Sequence, residues 1–273
     1  MSIKAVYNLS DIYNKMHNQS QLDKYEFSRI PNPKTPCPLA HTRTNMNKNR
    51  YSNIKPAKHT RVLLHNDTWI NANFVDQHRL ILTQAPKPNT MLAFWQMVWE
   101  YRVPVIIMLC DFIESGRRKA DPYWPQHYKN QSVKIKSKGL TLFTIEHIND
   151  QMIGDVKQTQ LRLTKNKKSR TIYHLWYRKW GDFSCPSSAK SVDILRNLCW
   201  TYASQDRPPL IHCSAGVGRA GTFATIDACL RNKETNFAKC LARIRQDRNG
   251  AIQHHSQYHF AKQYVAKKLG CIK

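Results

Sequence analysis

The sequence predicts a single mixed α/β domain spanning 1–273, with a central twisted mixed β-sheet flanked by helices. Three observations carry that expectation. Strand-like and helix-like segments interleave along the chain, with no internal repeat and no Gly/Ser-rich linker to divide it. Hydrophobic residues make up 41% of the 273, with 7 Trp, 12 Tyr and 9 Phe, which supports a large core and excludes a mainly disordered chain. A short apolar run, Leu210-Ile211-His212, meets a glycine-rich turn that leaves as a helix, so 210–230 reads as strand–loop–helix.

Taken in order, residues 8–27 read as a helix capped near Ser10. Residues 29–61, with Pro31, Pro33, Pro36 and Pro38 followed by polar and basic residues, read as a long surface excursion, the Pro-X-Pro spacing forbidding helix. Thr68–Val75 alternates like a strand, and Thr90–Tyr101 is an apolar, tryptophan-rich helix. Val103–Leu109 is a buried-strand run, and 131–164 and 171–178 alternate like paired strands about a basic turn at Lys165–Arg170. Val192, Leu195, Cys199 and Tyr202 recur at helical spacing. Thr222–Leu230 and about 234–246 and 254–269 are the remaining helices.

Forty-three Lys+Arg against 18 Asp+Glu leave a net charge of +25, which draws the chain to phosphate-rich or acidic partners. The runs Arg117-Arg118-Lys119, Lys165–Arg170 and 41–61 predict loose, salt-sensitive binding to nucleic acid or acidic surfaces. No stretch approaches 18 consecutive apolar residues, so no membrane span is expected. Met-Ser-Ile-Lys opens no secretory segment, Ser2 stands where myristoylation needs glycine, and Cys271 is misplaced for prenylation. The eight cysteines lie far apart without metal-site spacing and are expected to be reduced thiols in a cytoplasmic protein.

The most informative segment is His212-Cys213-Ser214-Ala215-Gly216-Val217-Gly218-Arg219-Ala220-Gly221. Between a strand and a helix, six successive N–H groups, those of Ser214, Ala215, Gly216, Val217, Gly218 and Arg219, can curl around an oxyanion. The following helix aims the positive end of its dipole at the same point. Arg219 adds a planar fork for two phosphoryl oxygens, and Cys213 at the mouth sits where all of these favour a thiolate nucleophile. Cys37 and Arg43 share the Cys-x5-Arg spacing, but Pro-Leu-Ala-His-Thr between them holds no glycine and follows no strand, so that pair reads as structural. The absence of a Gly-Lys-Ser/Thr ending disfavours nucleotide hydrolysis.

The ten-residue run closely resembles the signature loop of the protein tyrosine phosphatases. Asn49-Arg50-Tyr51 resembles that family's phosphotyrosine-recognition loop, Ile70-Asn71-Ala72-Asn73 the strand after it, and Thr83–Thr90 with Phe94–Glu100 its pattern before the central sheet. Tyr123-Trp124-Pro125, Trp180-Gly181-Asp182 at the mobile acid loop, and Gln253 and Gln257 complete a likeness over about 20–268. Within the family, the basic single-domain character is similar to phosphatases carried by polydnaviruses (bracoviruses) of parasitoid wasps, which implies action in the host-cell cytoplasm.

The resemblance implies phosphotyrosine hydrolysis in proteins through a cysteinyl-phosphate, with no metal or organic cofactor. Cys213 attacks phosphorus, Arg219 and the loop amides hold its oxygens, and Asp182 protonates the leaving phenolate and then activates water oriented by Gln253, with Gln257 assisting. Tyr51 sets the pocket depth; His212, Glu114, Lys119 and Trp180 support the loop, Glu114 by gripping Arg219 and Lys119 by approaching Asp182. Three positions depart from the pattern. Ala220 replaces a Ser or Thr whose hydroxyl donates to the departing thiolate, which predicts slowed breakdown of the intermediate. Gly181 replaces a proline, which predicts less favourable loop closure, and Asn53 replaces an aspartate that binds substrate backbone. An alternative stays open: a catalytically impaired module that binds and shields phosphotyrosine proteins.

Overall fold

A computed structural model describes residues 18–33, 36–126 and 129–272. Its centre is an eight-stranded sheet. Strands β1 (Ala72–Val75) and β2 (Leu80–Thr83) form an antiparallel hairpin. β2, β10 (Leu210–His212), β3 (Val105–Met108) and β9 (Lys168–Tyr177) then run parallel to one another. β8 (Val156–Lys165), β7 (Leu140–Ile153) and β6 (Ser132–Ser137) continue the sheet antiparallel. A separate two-stranded ribbon pairs β4 (Ile113–Glu114) with β5 (Arg117–Arg118).

The parallel centre explains why β2, β3 and β10 read as continuous apolar runs: every residue in them is buried. The helices are α1 (18–29), α2 (Arg43–Met46), α3 (Met91–Glu100), α4 (Ala189–Tyr202), α5 (Arg219–Asn232), α6 (Phe237–Asp247) and α7 (His255–Lys268). α4 packs on β3 and β8, α5 on β10 and β2, and α6 on β1. Three segments leave the same end of the parallel strands: the loop after β10, the chain after β9, and the β4–β5 ribbon after β3. Parallel sheets characteristically place their ligand sites there.

The alternating core pattern locates most elements correctly, with corrections. The first helix is seen over 18–29, whereas Ser10 and the earlier part of the expected helix lie outside the described residues. The proline-rich excursion is not merely a surface loop. Pro38 opens a short 3-10 turn to His41, where its missing N–H costs nothing, and α2 follows. Ala40 and Cys37 bury against Trp69 in a small second core, and Asn49 is buried as well. The strand expected from Thr68 starts only at Ala72, because His65–Asp67 form a 3-10 turn and the Asn71 side chain donates to Ile54 O and Asn49 Oδ1. The long alternating stretch divides into three strands, turning at Lys138-Gly139 and at Gly154-Asp155. α5 begins at Arg219 rather than Thr222, since the helix takes over directly from the loop.

Candidate active site

The geometry of 213–219 follows from where its carbonyls point. Cys213 O accepts from His212 Nδ1 at 2.9 Å, and Ser214 O from Ala85 N at 2.9 Å. Ala215 O and Gly216 O accept from Arg248 Nη2 and Nε at 3.1 and 3.2 Å. Val217 O accepts from Gly221 N and Ile252 N, and Gly218 O from Thr222 N and Thr222 Oγ1. In a trans peptide the N–H points opposite to the carbonyl, and no peptide bond among the described residues is cis. Six carbonyls bonded outward therefore turn the six N–H groups of 214–219 inward, at the N-terminus of α5 and toward Cys213. This is a nest for a tetrahedral anion. Gly216, at φ +72°, is obligatory: a Cβ there would lie 2.0 Å from Thr83 O.

Cys213 is 3% exposed at the mouth of this nest. Arg219 stands beside it, 1% exposed, its Nη1 donating to Glu114 Oε1 at 2.6 Å and its Nη2 to Glu114 Oε2 at 3.1 Å. The same nitrogens donate to Trp180 O at 2.8 Å and Asp182 Oδ1 at 3.4 Å. Burial opposes the guanidinium charge, but the Cys213 and Glu114 charges outweigh it and hold its pKa above the ordinary value. Glu114 is fixed in turn by accepting from Asp111 N, and the β4–β5 turn that presents it uses positive φ at Ser115 and Gly116.

Asp182 Oδ2 meets Lys119 Nζ at 2.5 Å. Burial works against the Lys119 ammonium, and the hydrogen bond and charge of Asp182 outweigh it, raising its pKa. Trp180 is fully buried and anchors the loop by donating from Nε1 to Ser184 O at 2.8 Å. Ser184 Oγ closes the turn by donating to Gly181 O, and a Cβ on Gly181 would approach Ser184 Oγ to 3.0 Å. Phe183, in the left-handed region at φ +54°, stands 54% exposed next to Asp182.

Ser214 Oγ donates to Lys119 O, so its oxygen is left to accept from Tyr51 OH at 2.8 Å. That bond fixes Tyr51 against the loop. Gln253 is exposed, with its carboxamide over the loop: Oε1 lies 2.6 Å from where a Cβ of Gly218 would be. Gln257 is placed differently. It is buried, and its Oε1 accepts from Gln253 N at 3.2 Å, so it positions the Gln253 segment from behind. Asn53 is exposed on a separate cavity of about 330 Å³, lined also by His41, Lys55 and Asn249. Cys37 and Arg43 take no part in the nest: Cys37 packs in the small second core and Arg43 opens α2.

Several residues that complete the site carry no sequence signal of their own. Arg248, fully buried, donates also to Asn71 Oδ1 at 2.7 Å and Asn73 Oδ1 at 2.9 Å. All of its partners are neutral, and burial pushes its pKa down to about 10, an effect the Cys213 charge opposes. An uncompensated cation thus stands behind the anion nest. Arg50, by contrast, is visible in the sequence within Asn49-Arg50-Tyr51; it bridges to Asp121 at 2.6 Å and donates to Ala85 O and Pro86 O, setting Tyr51 in place.

His212 belongs to a polar chain whose direction is determined. Its Nδ1–H donates to a carbonyl, so Nε2 accepts from Tyr123 OH at 2.7 Å; Tyr123 then accepts from His174 Nε2–H at 2.7 Å. His174 Nδ1, left unprotonated, has no partner. Burial lowers the His212 pKa from its ordinary 6.5 to about 4, and lowers that of His174 well below the same value. Unfolded, both rings bind protons that the fold refuses, so stability is complete above pH 6.5 and lost as pH falls through 4. His212 alone is worth about 3 kcal/mol over that window. The urea midpoint is expected to drop between pH 7 and 4.5, and less so in His174→Asn; an equal drop in that variant would place the proton uptake elsewhere.

The chain is similar to known proteins in sequence and in fold. The family model for protein-tyrosine phosphatase matches residues 45–267. The human tyrosine-protein phosphatase non-receptor type 9 is 33% identical over 98% of this chain, and human non-receptor type 2 is 34% identical over 84%. The chain spans about half the length of these relatives, 50% and 58% respectively. A solved structure of PTPN18 in complex with HER2 phosphopeptides superposes with a TM-score of 0.83 at 28% identity, covering 98% of this chain and 99% of that one. No helix among the described residues is long and apolar enough to cross a membrane.

Proposed function

From the premise that this chain belongs to the protein-tyrosine phosphatase family, we propose that it hydrolyses phosphotyrosine in proteins through a cysteinyl-phosphate on Cys213. The observation that carries the reading is the outward bonding of all six carbonyls from Cys213 to Gly218, which leaves six amides for the equatorial phosphoryl oxygens. Cys213 Sγ attacks phosphorus in line as the phenolate departs. Asp182 protonates that oxygen, and afterwards takes a proton from the water that Gln253 orients and that releases phosphate. Tyr51, pinned to Ser214, is the wall that would match the pocket's depth to a phenyl ring. A phosphoserine, several ångström shorter, falls short of the thiolate. Gln257 acts by holding the Gln253 backbone.

Pre-steady-state hydrolysis of a phosphotyrosine peptide beside a phosphoserine peptide tests this directly. Turnover confined to phosphotyrosine is expected, and equal rates on both would overturn the pocket argument. Asp182→Asn should lower kcat/KM, which reports the first step alone, about 10²–10⁴-fold on an alkylphenyl phosphate and far less on a nitrophenyl phosphate, whose leaving group needs no acid. Equal losses on both substrates would assign Asp182 another role.

Ala220 sits fully buried in the first turn of α5, and the hydroxyl two residues on, Thr222 Oγ1, is committed to Gly218 O. No hydroxyl of this turn is then free to donate to the departing thiolate. Breakdown of the intermediate is expected to be the slow step, visible as a burst of phenol. Ala220→Ser should shrink the burst and raise steady turnover by about 10–10³-fold; an unchanged burst would remove this account of the residue.

A further inference from the structure

Six basic residues that the catalytic site leaves unused gather at one end of the sheet. β6 and β8 run toward the same end, so the β6–β7 turn at Lys138-Gly139 and the β8–β9 turn at Asn166-Lys167 lie together there. Thr144 pairs with Thr164, so Leu140–Phe143 run on beyond that pair and carry the first turn several ångström past the second. Lys136, Lys138, Lys167 and Lys168 are exposed around the turns, Lys165 is half-buried, and Arg170 lies behind them. None of these six forms an ion pair among the described residues. Leu140, at the projecting apex, is 70% exposed.

An exposed apolar side chain ringed by unpaired lysines on a convex tip fits one kind of partner well. A flat anionic bilayer offers phosphates and carboxylates at its surface and hydrocarbon just below. A single-stranded nucleic acid is held instead by a groove with aromatic platforms. Here Phe143 is buried with Lys165 Nζ 5.3 Å from its ring, and Trp99 is capped by the Arg170 guanidinium at 4.0 Å. We propose that this end of the sheet docks on anionic membrane surfaces, Leu140 entering the headgroup region and the lysines pairing with lipid anions. The 10 residues of β9 span about 30 Å to the chain that carries Trp180 and Asp182, so the catalytic mouth faces away from the bilayer.

Sedimentation of the whole chain with vesicles tests this independently of any catalytic activity. Binding is expected to vesicles of phosphatidylcholine with one-third phosphatidylserine, to weaken with salt, and to be absent from pure phosphatidylcholine. Reversing Lys165, Lys167 and Lys168 to Glu should cut it on the order of 10²-fold, about fivefold for each lysine lost. Leu140→Ser should remove the part that survives high salt. Reversing the exposed Lys24, Lys190 and Lys233 makes the same change in net charge elsewhere and should leave binding within about twofold. Thermal melts of each variant establish that it is folded. No binding at low salt, equal loss in the control triple variant, or displacement from vesicles by an oligonucleotide with Leu140→Ser indifferent would each overturn the proposal, the last in favour of nucleic acid.

Discussion

Cys213→Ser is expected to lower turnover of a phosphotyrosine peptide at least about 10⁴-fold while leaving the peptide bound. The substitution exchanges one sulfur for one oxygen in a site only 3% exposed, and every carbonyl that shapes the nest is held by other residues. The anion site survives; the nucleophile does not. A serine oxygen is a far weaker nucleophile toward phosphorus than the sulfur it replaces. Turnover and affinity should therefore separate, measured by phosphate release and by fluorescence anisotropy of a labelled peptide. If the unsubstituted chain itself releases no phosphate yet binds, and Cys213→Ser changes neither, the chain is a shielding module rather than an enzyme.

The contrast between Cys213 and Arg248 shows what is legible in this sequence. Leu210 to Gly221 is contiguous: an apolar strand, a glycine turn and a helix start in twelve letters, so local rules suffice to infer the nest. Glu114, Lys119, Trp180 and Asp182 are legible only through their order in a family pattern, since nothing in a lone carboxylate says which guanidinium it grips. Arg248 is one of 43 basic residues, and its partners Asn71 and Asn73 precede it by 177 and 175 positions. His174 is hidden similarly, meeting Tyr123 across 51 positions. Buried polar networks are long-range and aperiodic, whereas periodicity reports only which face is apolar. The same limit explains β2: Leu80–Thr83 is buried on both faces and shows no alternation to mark it. Gln257 is legible by type, but its burial and the bond it accepts from Gln253 N, which set it behind Gln253, are not.

Arg219→Lys is expected to cost about 10³–10⁵-fold in kcat, a loss comparable to removal of an arginine finger. Charge is retained in this variant, so the loss measures geometry. The four bonds of Arg219 run from its two terminal nitrogens to Glu114, Trp180 O and Asp182, so the fork expected to take two phosphoryl oxygens is occupied and the Nε–H edge of the same plane remains for one. An ammonium has three donors in a cone and no plane, so it cannot grip Glu114 twice, hold the Trp180 carbonyl and reach the phosphoryl group together. Because the fork also ties the β4–β5 ribbon to the acid loop, its loss should leave Asp182 less often in place. The defect should therefore fall mainly on kcat, with KM changed far less, since the six amides still bind the ground-state dianion. Glu114→Gln, which keeps the fork but gives up the charge of its holder, should cost less than Arg219→Lys. The reverse order would mean that the carboxylate, by setting the loop's charge balance, contributes more than the guanidinium plane it positions.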